Sequence, residues 1–224
     1  MVNSATKARL YNKRLLYDFD DIGLTSTIYL ASGNRKLARS ILTWSLPAIT
    51  TCIGRGSCVR YCYGTKHGYK ISQVTARHRL NYKLSQDSQF PWLMMHRLSN
   101  SSKPVVRIHD IGDFYSQEYL DKWKMIAQMT PNKTFYAYTK SFALDLWNNL
   151  PHNFIIIQSY GSKYDNKIDP SRSVCKVIQH HEIQKYRDNG WYVCPFFEDD
   201  FGFCGIDCSV CLTHGSAKIA MLMH

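Results

Sequence analysis

The run CIGRGSCVRYCYG at residues 52–64 sets Cys52, Cys58 and Cys62 in a C-x5-C-x3-C spacing. The run CPFFEDDFGFCGIDCSVC at residues 194–211 sets Cys194, Cys204, Cys208 and Cys211 in a C-x9-C-x3-C-x2-C spacing. Seven of the eight cysteines fall in these two knots. Thiolates at short spacings hold zinc or the irons of an iron–sulfur cluster, and spacing alone separates the two imperfectly. Three thiolates on the first loop can grip three irons of a 4Fe–4S cluster and leave the fourth open to an outside ligand, or they can form a zinc site completed by His67. The four thiolates of the second knot can close another cluster or a zinc site, and Cys194-Pro195 is consistent with a cluster.

Composition favours metal over disulfides. The chain has 224 residues and 45% hydrophobic content, enough to bury a full core without covalent staples. A single domain is expected over residues 41–224, with residues 1–40 forming a polar, basic N-terminal arm or edge element. No apolar run of signal-peptide length follows Met1, and the longest apolar runs, such as FIII at 154–157, are far too short to span a bilayer. These features predict a soluble cytoplasmic protein with no membrane partner, and in that compartment clustered thiols bind metal rather than each other. A formal charge of +11 and a pI near 9.3 predict attraction to something anionic, whether nucleic acid, a phosphorylated metabolite or an acidic protein. The cations are spread without a long block, so a solvated surface and a nucleic-acid face both stay open. The fifteen tyrosines fit base stacking and ordinary strand core equally well.

Six segments read as strands: 41–50, 104–110, 133–141, 153–159, 174–179 and 191–196. Helical patterns occupy 71–87, 91–99 with Pro91 in its first turn, 116–129 with Ser116 as N-cap, a short stretch at 142–150, and 180–190 with Gly190 as its stop. Strands alternating with helices imply right-handed crossovers and an α/β fold, here a partial parallel βα barrel of about six strands. In such a sheet the loops leaving the C-terminal strand ends gather at one rim. Cys52, Cys58 and Cys62 follow the first strand, Gly112, Asp113 and Phe114 the second, and Cys194 onward the sixth, so both knots are expected on the same rim.

Alternation along the second strand puts Arg107 and His109 on one face and Asp110 on the other, while Tyr136, Tyr138 and Lys140 share a face of the third, opposite Thr139. Both sets fit either a polar pocket or a satisfied internal network. Cys175 reads as a small buried residue. His180, His181 and His214 read as surface residues, with His214 near enough to Cys211 to serve as a spare ligand.

From Gly33 to about Asp145, through SLPAITTC, CVRYCYG, VVRIHDIGDFYSQEYLDKW and FYAYTKS, together with the C-terminal cysteines, the chain resembles the phage-encoded gene product 88 family. That resemblance implies a virus-encoded iron–sulfur protein of the host-cell cytoplasm, with cluster ligands at Cys52, Cys58 and Cys62. The expected architecture is also similar to that of radical S-adenosylmethionine enzymes, whose three cluster cysteines follow the first strand and whose Gly-rich segment after the second holds the methionine amino group. By that resemblance Gly112, Asp113 and Phe114 bind cofactor, with Gly112 permitting close backbone approach and Asp113 orienting a polar group. An electron donor is then required as partner. The C-x3-C-x2-C spacing of such enzymes is missing from the first loop and occurs instead at Cys204, Cys208 and Cys211, where an auxiliary centre is expected. Two functions follow: a cluster protein with redox or radical chemistry, or a non-catalytic module, stabilised by iron–sulfur or zinc, that binds nucleic acid or a host protein through its basic surface.

Overall fold

A computed structural model describes residues 28–197 and 202–223, all gathered on one mixed sheet. Its strands are β1 (Ala31–Ser32), β2 (Ile41–Trp44), β3 (Val105–Ile108), β4 (Thr134–Thr139), β5 (Phe154–Ser159), β6 (Val174–Ile178), β7 (Tyr192–Val193) and β8 (Lys218–Leu222). They lie in the order β1-β2-β3-β4-β5-β6-β8-β7. β1 pairs antiparallel with β2, and every other pairing is parallel. Helices α1 (Ser72–Gln86) and α2 (Phe90–Ser99) connect β2 to β3, α3 (Gln117–Met129) connects β3 to β4, and α4 (Ile183–Asp188) lies between β6 and β7 in the chain.

The two-residue period of the strands sorts their side chains into two faces. On one, Leu42, Trp44, Val106, Ile108, Phe135, Ala137, Phe154 and Ile156 pack against Leu84 of α1, Phe90 and Met94 of α2, and Tyr119, Trp123 and Ile126 of α3. Trp44, Phe90 and Trp123 meet there with ring centroids 5.4–6.3 Å apart. α3 presents its apolar stripe because Ser116 caps it, the Tyr119 N–H donating to Ser116 Oγ at 3.2 Å. The other face carries Ile41, Tyr136, Ile155, Ile157, Cys175 and Ile219, covered by Cys204 and the short 3-10 turn Val210–Leu212 instead of an α-helix.

Three expectations need correction. Among the described residues the sheet has eight strands and runs from β1 at one edge to β7 at the other without closing, where a partial parallel barrel of about six strands was expected. Residues 142–150 form turns and no helix. There Asp145 accepts the Trp147 and Asn148 N–H groups at 3.3 and 3.1 Å, and Lys124 Nζ donates to the carbonyls of Asp145 and Asn148 at 2.9 and 2.8 Å, so local side-chain bonds take the place of helical ones. β8 was not expected at all, and by pairing with both β6 and β7 it moves the last expected strand out to the edge. Of the expected N-terminal arm, residues 1–27 lie outside the described residues, while β1 forms the other edge. No helix among the described residues is long and apolar enough to cross a membrane.

Candidate metal centre

The first cysteine loop is docked by its glycines. A Cβ on Gly54 would collide with the Lys140 carbonyl at the end of β4, and one on Gly56 would stand 2.6 Å from backbone atoms of Ser162 and Lys163 just past β5. Only bare backbone fits there. The Cys58 N–H donates to the Gly161 carbonyl at 3.2 Å and the Lys163 N–H to the Gly54 carbonyl at 3.1 Å. Ser162 Oγ reaches the carbonyls of Gly54 and Lys140 at 2.7 and 2.8 Å. Upstream, Ile49 turns the chain with φ 68°, and Arg55 Nη1 donates to the carbonyls of Ile49 and Cys52 at 3.2 and 3.4 Å. Three short 3-10 turns, Ser57–Tyr61, Tyr63–Thr65 and His67–Lys70, carry the loop over the strand ends. The side chain of His67 lies outside the described residues.

Docked in this way, Cys52, Cys58 and Cys62 line a cavity of about 180 Å³, whose other walls include Arg107, Asp110, Gly112, Asp113, Tyr138, Lys140, Cys175 and Met221. Burial, reinforced by the Asp113 charge and by Cys62 and Cys58, pushes the Cys52 thiol up to about 12. Burial likewise pushes Cys175 up to about 12. Arg107 Nη1 pairs with Asp110 Oδ1 at 3.3 Å, Tyr69 donates to Asp110 Oδ2 at 2.6 Å, and the Tyr63 hydroxyl donates to the Asp110 carbonyl. Lys140 Nζ donates to Ser159 Oγ at 2.6 Å. The cavity therefore holds three loop thiols together with two cationic side chains and the carboxylates of Asp110 and Asp113.

The residues after β3 act differently from one another. Gly112 has φ 88°, and a Cβ there would meet Leu46 Cβ at 2.7 Å and Thr51 Oγ1 at 2.9 Å, so this glycine is required by packing. The Asp113 carboxylate accepts from Thr139 Oγ1 at 2.7 Å and from the N–H groups of Lys140 and Phe114 at 2.8 Å each, tying the loop to β4, while burial raises its pKa. Phe114 is fully buried against His109 and Tyr119. His109 does not share Arg107's face as expected. β3 ends at Ile108, and a left-handed φ of 66° at His109 turns its ring into the aromatic core, 4.8 Å from Phe114, with Nε2 3.0 Å from Tyr119 Oη. Burial lowers its pKa to about 3.

The second knot lies on the same face of the sheet but not on the same rim. The Cys204 N–H donates to the Lys36 carbonyl at 2.9 Å and the Ala38 N–H to the Cys204 carbonyl at 3.0 Å, which places Cys204 beside the chain entering β2. After leaving β7 the chain has turned back across the sheet, a reversal that strand order alone does not show. Cys194, Cys204, Cys208 and Cys211 line a second, smaller cavity of about 20 Å³. Lys36 Nζ donates to Cys194 Sγ at 3.4 Å, the Tyr138 hydroxyl lies 2.7 Å from Cys211 Sγ, and the Tyr192 hydroxyl lies 3.2 Å from Cys208 Sγ. Burial raises Cys204 to about 11 and also raises Cys211. Arg107, Tyr138 and Met221 line both cavities and form the wall between them. His180, His181 and His214 are exposed.

Cys175 is the cavity residue that sequence reading assigned to plain packing. Its parity on β6 was legible, but which face that parity met depends on the pairing with β5 and β8. Among the described residues, no three His, Cys, Asp or Glu side chains converge closely enough to grip a single metal ion. Thiolates around one zinc would stand about 3.8 Å apart, given a Zn–S bond of about 2.3 Å. A cubane offers its irons at separate corners, so three thiols lining one cavity together with Arg107 and Lys140 are a donor set that fits it.

Fold and site together define an open, mainly parallel α/β protein with a thiol-lined cavity at its strand ends. The chain belongs to the gene product 88 family, whose sequence pattern matches residues 25–218. No curated protein and no solved structure matches it.

Proposed function

We propose that this is a virus-encoded iron–sulfur protein of the host cytoplasm, with a 4Fe–4S cluster held by Cys52, Cys58 and Cys62 on a sheet that serves as a partial barrel. The observation carrying this reading is the convergence of the three loop thiols on one cavity, imposed by glycines that admit no side chain at the docking points. A cluster so bound supplies one-electron chemistry and, with an iron left for S-adenosylmethionine, radical generation. The chain's own residues have separate tasks. Lys140 and the Asp110-anchored Arg107 offset thiolate charge, Gly112 lets backbone form part of the wall, and Tyr138 and Met221 close the cavity toward the second knot. A cellular electron donor is the partner this chemistry requires. Cys194, Cys204, Cys208 and Cys211, sharing their own small cavity, support a second centre of iron–sulfur or zinc.

One observation favours a second reading, a non-catalytic metal-stabilised module: the Asp113 carboxylate is engaged by three internal donors, as a structural tie would be. Anaerobic purification with iron, sulfide and zinc analysis tests the metal. About four irons per chain mean one cluster and about eight mean two, whereas stoichiometric zinc with little iron overturns the proposal. Adding S-adenosylmethionine to the reduced protein separates the two functions. Release of 5′-deoxyadenosine supports the radical role, and an unchanged spectrum with no product leaves a redox or structural cluster.

A further inference from the structure

Between Ile22 and Asp87 the chain contains no aspartate or glutamate, yet it contains ten lysines and arginines, nearly all of the net charge of +11. This acid-free stretch includes the whole first cysteine loop. In the structure the neighbouring carboxylates are bonded to internal donors while the loop's cations are exposed. Asp110 is bound by Arg107 and Tyr69, Asp113 by Thr139 and the Lys140 and Phe114 N–H groups, and Asp165 by the N–H groups of Gly161 and Ser162 at 3.0 and 2.8 Å. The acids nearest the cavity mouth thus spend their charge inward. Arg60, Lys66 and Lys70 on the 3-10 turns, and Lys163 on the segment clamped to Gly54 and Gly56, are all exposed. None of the four side chains has a hydrogen bond or ion pair within the described residues, and that of Lys163 only stands 4.9 Å from the Tyr164 ring.

Cations held on short, glycine-docked turns, whose nearest carboxylates are already bonded to internal donors, form a positive lip. An isolated charge run on a helix is commonly a solvated face with acids interleaved, and this one has none. The ligand that such a lip fits is a repeating polyanion. We propose that the lip formed by Arg60, Lys66, Lys70 and Lys163 binds the phosphate backbone of a nucleic acid and presents it to the mouth of the thiol-lined cavity. This goes beyond the iron–sulfur reading and does not depend on it, because the lip's charge is the same with or without metal.

The test uses the full chain, purified anaerobically, with a labelled 30-nucleotide single-stranded RNA and a 20-base-pair DNA duplex as probes. Neutralising four phosphates gives a slope of log affinity against log salt of about −2.8 on the single strand or about −3.6 on the duplex. Affinity should therefore fall about 50- to 150-fold between 50 and 200 mM salt. The variant R60A/K66A/K70A/K163A should flatten that dependence to a slope near zero, whereas Arg97→Ala with Lys185→Ala, cations away from the lip, should keep more than half of it. The preferred probe tells which nucleic acid is bound. Failure to bind either probe at 50 mM salt, equal loss in the control variant, or equal displacement by polyglutamate would each overturn the proposal. Iron content measured on the same samples keeps this result distinct from the fate of the cluster.

Discussion

Cys175 lines the cavity with the three loop thiols, and the proposed three-thiolate cluster predicts that it is not a ligand. Its side chain packs in the cluster of Ile41, Tyr136, Ile155, Ile157 and Ile219 that Cys204 and Cys211 cover, which puts Cys175 on the side of the second knot. Cys175→Ala removes one sulfur from a side chain that is 2% exposed, about the cost of deleting a buried methylene and leaving a small void, roughly 1 kcal/mol. In a chain of this size that lowers Tm by about 2–4 °C. Iron and sulfide per chain should be unchanged, as should the low-temperature electron paramagnetic resonance signal of the reduced protein. Single alanine variants of Cys52, Cys58 and Cys62 should each lose the iron of that cavity. If Cys175→Ala loses its iron and sulfide while melting only a few degrees lower, the three-thiolate assignment is refuted. The centre would then be closed by four cysteines, with no iron left to bind S-adenosylmethionine.

Gly54→Ala forces a methyl against the Lys140 carbonyl, so it should cost about 1–3 kcal/mol in denaturant melts and reduce iron retention, whereas Gly68→Ala, which meets nothing within 4 Å, should do neither. Asp113→Asn turns an amide N–H₂ toward donors and should destabilise by about 1–3 kcal/mol; full stability with loss of cofactor binding alone would count against its role as a tie. Burial holds His109 at about 3 and His78 at about 4, below the roughly 6.5 of an unfolded histidine. Below pH 6.5 the unfolded chain therefore takes up protons that the folded chain refuses. The stability is complete above that pH and is lost as pH falls, by about 1.4 kcal/mol per unit for each histidine, or about 4 kcal/mol for the pair between pH 6.5 and 5. His109→Gln should halve the slope of unfolding free energy against pH over that window, and an unaltered slope would refute its burial as a neutral ring.

The strands β2 to β6 were legible because each is a short apolar run bounded by turn residues, and α3 because Ser116 and the Tyr119, Leu120, Trp123 and Ile126 stripe announce a capped amphipathic helix. β8 escaped notice for a physical reason. Ile219, Ala220 and Leu222 are buried on both faces, so KIAML lacks the alternation that marks a half-exposed strand, and it follows a cysteine segment that reads as loop. The 142–150 stretch has helical composition, and its Asp145-centred turn is a choice made by contacts with Gln117 and Lys124 on α3. Parity failed at His109 because a non-glycine residue at positive φ carries no local signature.

For the site, residue types were readable and their grouping was not. The glycines at 54 and 56 were present in the quoted loop, but their meaning lies in what they approach, the ends of β4 and β5, about ninety to a hundred residues later in the chain. Sequence order rightly brought the first knot to the C-terminal strand ends, yet it misplaced the second, since no rule of strand order reports a chain that doubles back to pair with the residues before β2. The same reversal sets Tyr138 against Cys211 while Lys140, just past β4, lines the first cavity, and so leaves one thin wall of Arg107, Tyr138 and Met221 between two sets of thiols. Two centres that close would share an electrostatic environment. Tyr138→Leu, which removes the hydroxyl contact to Cys211 but keeps an apolar wall, should therefore alter the reduced spectrum of the second centre first and leave the iron content of the first cavity intact. Equal loss from both cavities would mean that the wall is a shared scaffold and that the two knots act as one site.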